Sequence, residues 1–442
     1  MVKITRREFT RALGGVGAAA LVSSLPFGAP AIARGRARVV IVGGGAGGAS
    51  AACAIKREAP DLSVTVIEPH EIYTTCFNSN HYFGGFRTLA SLQHSYDGLR
   101  KLGIDVIADY ASDIDTIKRT VRLERGSLVS YDRLVIAPGI DFKFEAIEGY
   151  SARVAAETLP HAWKAGPQTL LLKKQLEAME DGGTVVMTVP GNPYRCPPGP
   201  YERACMIAHF LKTKKPKSKL VIFDAKKTFS KQPAFEEAFA KYYEGIIDLN
   251  LTNEIDDFTV VRVDPGSREV YTKAGITLKG AVVNVIPPQK AGDIAVKAGC
   301  VEGDWCPIKP DTFASAKVPN VYVVGDSAVA AEMPKSAYSA NSQAKGAVAD
   351  ILAELAGAER SPARYRNTCW SLLAAEDSIK IGADYVPGEK DGKPVLAPSG
   401  PFVSQRGETD DVRRRNYAES LAWYHSIIAD AFNDTTSLVH KG

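Results

Sequence analysis

Two sets of residues carry most of the chemistry open to this chain: a glycine-rich turn, Gly43-Gly44-Gly45-Ala46-Gly47-Gly48, and seven cysteines at 53, 76, 196, 205, 300, 306 and 369. Gly43, Gly45 and Gly48 stand at the three glycine positions of G-x-G-x-x-G. The first allows a tight turn, the second lets a pyrophosphate approach bare backbone, and the third lets a helix pack close to a strand. Helix N-terminal amides and the helix dipole then hold the phosphate charge. Glu68 follows Gly48 by twenty residues, where a carboxylate accepts hydrogen bonds from ribose hydroxyls and excludes a 2′-phosphate. The cysteines include no C-x-x-C pair, which argues against a zinc ribbon or a thioredoxin-type motif, and no C-x-x-C-H for covalent haem. An odd count leaves at least one cysteine outside any disulfide. The seven histidines lack metal-ligand spacing, and no metal site is expected.

These groups need a scaffold, and the flanking pattern supplies one. Residues 39–42 read as a buried parallel strand, 49–57 as a helical run and 62–67 as a second strand that delivers Glu68. Residues 69–78, containing Cys76, lie just past the ribose acid, where the far end of a dinucleotide extends. A helical piece is expected around 89–102, a short strand at 105–107 and a hairpin through 121–128. Residues 131–139 read as a buried strand ending in a tight turn at Gly139, where backbone meets the cofactor. The apolar strand 321–324 ends in Gly325-Asp326, where a carboxylate can accept a hydrogen bond from a cofactor hydroxyl. The first and last of these strands belong to one domain interrupted by an insertion.

The insertion begins near Gly149 with its own strand, 184–189, and a second glycine fingerprint should follow if it held NAD(P)H. Instead the chain reads Pro190-Gly191-Asn192-Pro193-Tyr194-Arg195-Cys196-Pro197-Pro198-Gly199-Pro200. Proline has no N–H to offer a phosphate and stiffens the turn. A helix at 201–212 and a strand at 220–224 keep the βαβ frame without its ligand, so no NAD(P)H is expected. Residues 336–355 read as a helix whose N-terminus faces the cofactor, with a plain cover helix as the alternative. Near-helical apolar spacing at 418–432 argues for packing against the domain or a partner. The fold class is therefore α/β: two Rossmann-like dinucleotide-binding domains and a smaller C-terminal α+β domain. The expected divisions are 34–148 and 290–358 for the interrupted domain, 149–289 for the second and 359–442 for the C-terminal one.

Residues 1–33 read as an address. Thr5-Arg6-Arg7-Glu8-Phe9 carries a twin-arginine pair, an apolar run follows at 12–25, and Ala31-Ile32-Ala33 offers a cleavage site. The expected location is the periplasm, reached by export in the folded state. The segment holds Lys3, Arg6, Arg7 and Arg11 against Glu8, so the formal +4 of the chain falls to +1 on its removal. Near-neutrality argues against nucleic acid or an anionic membrane as a partner. With 442 residues, 45% of them hydrophobic, there is chain enough for two or three cores, and no later segment is long enough for a membrane span.

At Tyr73-Thr74-Thr75-Cys76, at 195–203, at 333–343 and at Asn367-Thr368-Cys369 the chain resembles the flavoprotein subunit of flavocytochrome c sulfide dehydrogenase, within the glutathione-reductase and sulfide:quinone-reductase class. The resemblance runs over essentially the whole mature chain. It implies FAD, held covalently through a thioether at Cys76, and a redox-active disulfide between Cys196 and Cys369. It also implies a flavin-side glutamate at Glu202 and, in the 333–343 segment, Lys335 and Tyr338 beside the cofactor. Read without the resemblance, Cys76 is an inert buried thiol, the commonest state of a free cysteine, and a Cys196–Cys369 bond a structural staple. Cys53 and Cys205 read as helix-packing thiols, and Cys300 with Cys306 as free thiols or a local staple.

The expected activity is oxidation of sulfide or polysulfide through the disulfide, with electrons passing by FAD to a separate c-type cytochrome subunit. Two alternatives are a sulfide:quinone reductase and a non-catalytic redox partner of a sulfur-oxidising complex.

Overall fold

The computed structural model describes residues 37–253 and 256–435, so the twin-arginine segment and its cleavage site lie outside the described residues. The first sheet is parallel and five-stranded, in the order Val321–Val323, Arg133–Ile136, Arg38–Val42, Ser63–Ile67, Asp105–Ile107. Its central strand buries four consecutive residues, the signature of a strand covered on both faces. The helix Ala46–Glu58 is rich in alanine and glycine, and ten of its residues are buried. Lys56 and Arg57 in its last turn complement the negative end of the dipole. Small side chains let two other helices, Ala337–Ala356 and Asp410–Phe432, pack close against it.

The insertion builds a second parallel sheet, in the order Ile247–Leu251, Lys219–Asp224, Thr184–Val189, Val282–Val285. The helix Gly199–Lys214 follows its Thr184–Val189 strand, and Gln232–Tyr243 packs beside that helix. A third, antiparallel sheet of Tyr365–Ala374, Asp377–Lys390 and Lys393–Val403 precedes the helix Asp410–Phe432. Its first strand lies against both Gly199–Lys214 and Ala337–Ala356, which brings the third sheet to the seam between the other two units. The α/β class, with Rossmann-like parallel sheets, is as the periodicity required.

Local departures have physical causes. The 89–102 stretch is not one helix. A 3₁₀ turn at Ala90–Leu92 leads into the strand Gln93–Ser95, and only Asp97–Lys101 is helical. Pairing of Gln93–Ser95 with Ile72–Thr74 overrides the helical spacing of the leucines, an instance of tertiary context outweighing local preference. The C-terminal helix begins earlier than 418, at Asp410, because Thr409 accepts a hydrogen bond from the Val412 N–H as its N-cap. The 336–355 helix spans Ala337–Ala356, capped by Ser336. Cys300 and Cys306 are both buried free thiols, and so are Cys53 and Cys205 on their helices.

Candidate functional site

In the first turn Gly43 has a φ of +101°, and a Cβ there would lie 2.4 Å from the Ala137 carbonyl oxygen. A Cβ on Gly48 would come within 1.9 Å of the Gly43 oxygen, so strand and helix meet backbone to backbone. Gly45, the N-cap of Ala46–Glu58, has only the Tyr73 ring near its Cβ direction, at 3.5 Å. That is a cradle with its floor fixed and its mouth clear. Glu68 is half-buried and accepts hydrogen bonds from the Gly44 N–H (2.9 Å) and the His70 N–H (3.1 Å), one on each oxygen. The carboxylate is thus aimed before any hydroxyl arrives. Gly139, at φ +71°, accepts from the Gly292 N–H at 3.1 Å, closing the turn after Arg133–Ile136.

Cys76 follows the short strand Ile72–Thr74 and is partly exposed. Two residues on, Asn78 takes a left-handed φ of +61°, and its buried Nδ2 has no hydrogen-bond partner among the described residues. A buried amide donor in that condition suits a polar ligand lying past Glu68. Arg195, from the proline-rich loop, reaches the same place: it pairs with Asp326 at 3.6 Å, both side chains largely buried. Burial works against its charge, but Cys76, Asp326, Tyr73 and Cys196 together hold its pKa above the ordinary value. Three segments far apart in sequence therefore converge on one guanidinium.

Cys196 and Cys369 arrive from different units. Cys196 sits in the loop at φ +56°, its N–H donating to the Lys335 carbonyl at 2.9 Å and its own carbonyl accepting from Gly199 N at 2.8 Å. Cys369 lies on Tyr365–Ala374 with its Sγ 3.5 Å from Asn367 Oδ1, and Asn367 accepts from Ser336 Oγ at 2.6 Å. Both are free thiols in this structure, and each lies within electrostatic reach of the other. Burial raises both pKa values; a neighbouring Cys369 charge adds to the rise at Cys196, where Arg195 and Lys231 offset part of it, and Lys231 with Asn367 and Ser336 offsets part of it at Cys369.

Glu202 occupies the first turn of Gly199–Lys214, within electrostatic reach of both Cys196 and Cys369, and is buried. Asn80 Nδ2 donates to it at 2.8 Å and Leu372 N–H at 2.9 Å, with His81 Nε2 at 3.3 Å. Burial pushes its carboxyl up, yet His81 and these donors outweigh burial and hold it below the usual range. It thereby ties its own helix to the helix Asn80–Gly84 and to the strand that carries Cys369. Lys335 Nζ donates to the Asp326 and Ala328 carbonyls at 2.8 and 2.7 Å and lies over the Trp305 ring, bracing the Gly-Asp turn. Burial lowers its pKa to about 8. Tyr338 stands further off, stacked on Trp423 with ring planes 5° apart; Trp423 in turn meets Phe77, the residue after Cys76.

Arg195, Lys231, Asn367 and Ser336 were not singled out by sequence reasoning. Three of them lie inside the segments that carry the family resemblance, which is their only signal in the sequence; Lys231 has none.

Three families match consecutive parts of the chain. Residues 37–169 match pyridine nucleotide-disulphide oxidoreductase, 169–287 the central part of the sulfide dehydrogenase [flavocytochrome c] flavoprotein chain, and 361–432 the flavin-binding part of flavocytochrome c sulphide dehydrogenase. The sulfide dehydrogenase [flavocytochrome c] flavoprotein chain of Chlorobaculum thiosulfatiphilum is 50% identical over 46 residues, 10% of this chain and 96% of that sequence. The mitochondrial sulfide:quinone oxidoreductase of Mus musculus is 24% identical over 329 residues, 68% of each chain. Among solved structures, the sulfide:quinone oxidoreductase of Aquifex aeolicus superposes with a TM-score of 0.68 at 18% identity, covering 90% of this chain and 93% of that one. With the cradle, the cysteine pair and these matches in view, the chain belongs to the flavocytochrome c sulfide dehydrogenase flavoprotein family, a family of FAD-binding, sulfide-oxidising oxidoreductases.

Proposed function

We propose that this chain oxidises sulfide through a Cys196–Cys369 disulfide and passes the electrons, by way of FAD, to a haem on a separate c-type cytochrome subunit. The observation that carries the reading is the convergence of the Cys196 loop and the Cys369 strand on adjacent residues: the Cys196 N–H donates to the Lys335 carbonyl at 2.9 Å, and Ser336 donates to Asn367, whose Oδ1 lies 3.5 Å from Cys369 Sγ. Gly43, Gly45, Gly48 and Glu68 would hold the adenosine and pyrophosphate end of FAD, Asp326 and Gly139 its middle, and Cys76 a thioether to its far end. Bound there, FAD supplies a two-electron acceptor for the cysteine pair and a one-electron donor for haem.

The residues themselves do the sulfur chemistry. Hydrosulfide attacks one sulfur of the disulfide, forming a persulfide on that cysteine and releasing the other as a thiolate. Lys231 and Arg195 supply positive charge where that thiolate develops, in a site partly closed to water. The proline-rich loop fills the approach that a nicotinamide would need, and this supports a reaction without NAD(P)H. Absence of a C-x-x-C-H in the chain supports haem on a partner. The twin-arginine segment supports export to the periplasm.

An anaerobic sulfide titration of the purified protein tests the reading: one equivalent of sulfide should bleach the flavin absorbance, and a Cys196→Ser variant should not respond. Cytochrome c should then reoxidise the flavin. Similarity to sulfide:quinone oxidoreductases favours quinone as the second reading, and rapid reoxidation by a soluble quinone in place of cytochrome would select it.

A further inference from the structure

The two cysteines do not stand in equivalent surroundings, and the difference assigns their roles. Lys231, buried at the N-terminus of Gln232–Tyr243 with a left-handed φ of +62°, donates to the Cys369 carbonyl at 3.2 Å and to Ser371 Oγ at 2.8 Å. Its ammonium is therefore fixed to the strand that carries Cys369. On the other side of that cysteine, Ser336 caps the twenty-residue helix Ala337–Ala356, whose positive dipole end faces the Asn367–Cys369 corner. Cys196 is held less directly: Arg195 and, after it, Lys231 act on its thiolate, but among the described residues its hydrogen bonds are made by its backbone. Its Sγ packs near Gly199, where a Cβ would lie 3.0 Å away, and the Trp163 ring borders the same spot.

Access differs in the same sense. A cleft of about 580 Å³ is lined by Tyr194 and Pro197 on either side of Cys196 in the loop, by Lys335, whose carbonyl accepts from the Cys196 N–H, and by Phe229, Trp305 and Met333. Neither cysteine lines it, and no residue of the Cys369 strand does.

Resting on the disulfide reading above, we infer that hydrosulfide entering from this cleft attacks Cys196, and that Cys369 leaves as the thiolate, with Lys231 as the positioning residue that decides the direction. The balance is HS⁻ plus Cys196–S–S–Cys369 giving Cys196–S–SH and Cys369–S⁻. The new S–S bond forms at Cys196, the old one breaks, its electron pair stays on Cys369, and no outside oxidant is required. Disulfide exchange favours this direction because the better-stabilised thiolate leaves faster. Burial lowers the pKa of Lys231 to about 8, and Cys369, Glu202 and Cys196 all pull it back up. Of these, Glu202 is already tied down by Asn80, His81 and Leu372.

The test is to mix the oxidised holoprotein with one equivalent of sodium sulfide without oxygen, quench rapidly with excess iodoacetamide, and locate the labels by peptide mass spectrometry. Expected is an alkylated persulfide on the Cys196 peptide and a plain carbamidomethyl on Cys369. Lys231→Met should spread the persulfide over both cysteines, and Lys231→Arg should restore it to Cys196. A persulfide on Cys369 in the wild-type protein overturns the assignment while leaving disulfide chemistry in place. An unchanged distribution in Lys231→Met removes the lysine from it. No persulfide on either cysteine, from protein verified to hold the disulfide, sinks the disulfide reading and this inference with it. The wild-type measurement stands even if Lys231→Met does not fold.

Discussion

At the end of the second strand of the first unit Glu68 is half-exposed, its two oxygens held by backbone N–H groups of Gly44 and His70. At the corresponding place in the second unit Asp224 is 0% exposed. Tyr201 donates its hydroxyl to Asp224 at 2.5 Å, and Lys226 Nζ donates to the other oxygen at 2.5 Å while also reaching the Pro190 carbonyl. The turns differ likewise: glycines with room for a ligand in one, prolines and a cysteine in the other. Even the helix dipole is used differently. The glycine cradle leaves the N-terminus of Ala46–Glu58 without an acid in its first turn, whereas Gly199–Lys214 carries Glu202 there. One βαβ frame thus keeps its charges for a guest, and the other satisfies them with its own side chains.

Substituting the cradle should have the largest effect. Gly48→Ala puts a methyl where 1.9 Å separates it from the Gly43 oxygen, and the purified protein should carry little or no flavin, read as the ratio of flavin to protein absorbance. In the second unit the corresponding damage should fall on stability. Asp224→Ala strands the Lys226 cation in a buried site and should cost about 3–5 kcal/mol in a denaturant unfolding curve. Flavin content should persist under native conditions, and NADH should still leave the flavin oxidised. A response to NADH in that variant would erase the contrast.

A finer probe is Glu68→Ala in a Cys76→Ala background, which removes the proposed thioether so that FAD binding can be followed as an equilibrium. Loss of hydrogen bonds worth roughly 1–3 kcal/mol weakens FAD by about ten- to a hundredfold, measurable by fluorescence titration. The smallest effect concerns Glu202. Its folded pKa lies below the ordinary carboxylate value, so its contribution is complete above that value and is lost as pH falls through the lower, folded one. Glu202→Gln should therefore flatten the acid limb of a Tm-against-pH curve and leave the region near neutrality parallel to the wild type.

How far the sequence could be read follows the same division. The glycine spacing, the Val39–Val42 run and Glu68 are local signals, because a dinucleotide is bound largely by one βαβ stretch. The missing second fingerprint was equally local, since prolines at 197 and 198 are visible without a fold. The plug behind it was not: Tyr201, Asp224 and Lys226 meet only once the second sheet forms. Lys231 is the sharper case. Its neighbours in sequence say nothing of Cys369, and only the docking of Tyr365–Ala374 beside Gln232–Tyr243 gives it a role. The 89–102 misreading has the same origin, a strand partner that local spacing does not announce.

The helix Asp410–Phe432 is held to the first unit at many points. The Cys53 thiol donates to the Ala431 carbonyl across 378 positions, Arg57 pairs with Asp430 at 2.8 Å, Tyr73 stacks on Phe432, and a Cβ on Gly98 would strike the Phe432 oxygen. A ribosome therefore releases the glycine cradle long before it makes the helix that closes over it. The flavin unit can finish folding only after nearly all of the rest has been translated, and contacts of such long range form slowly. A chain cut short before residue 410 would leave the faces of Cys53, Tyr73 and Gly98 bare, marking it for proteolysis instead of assembly.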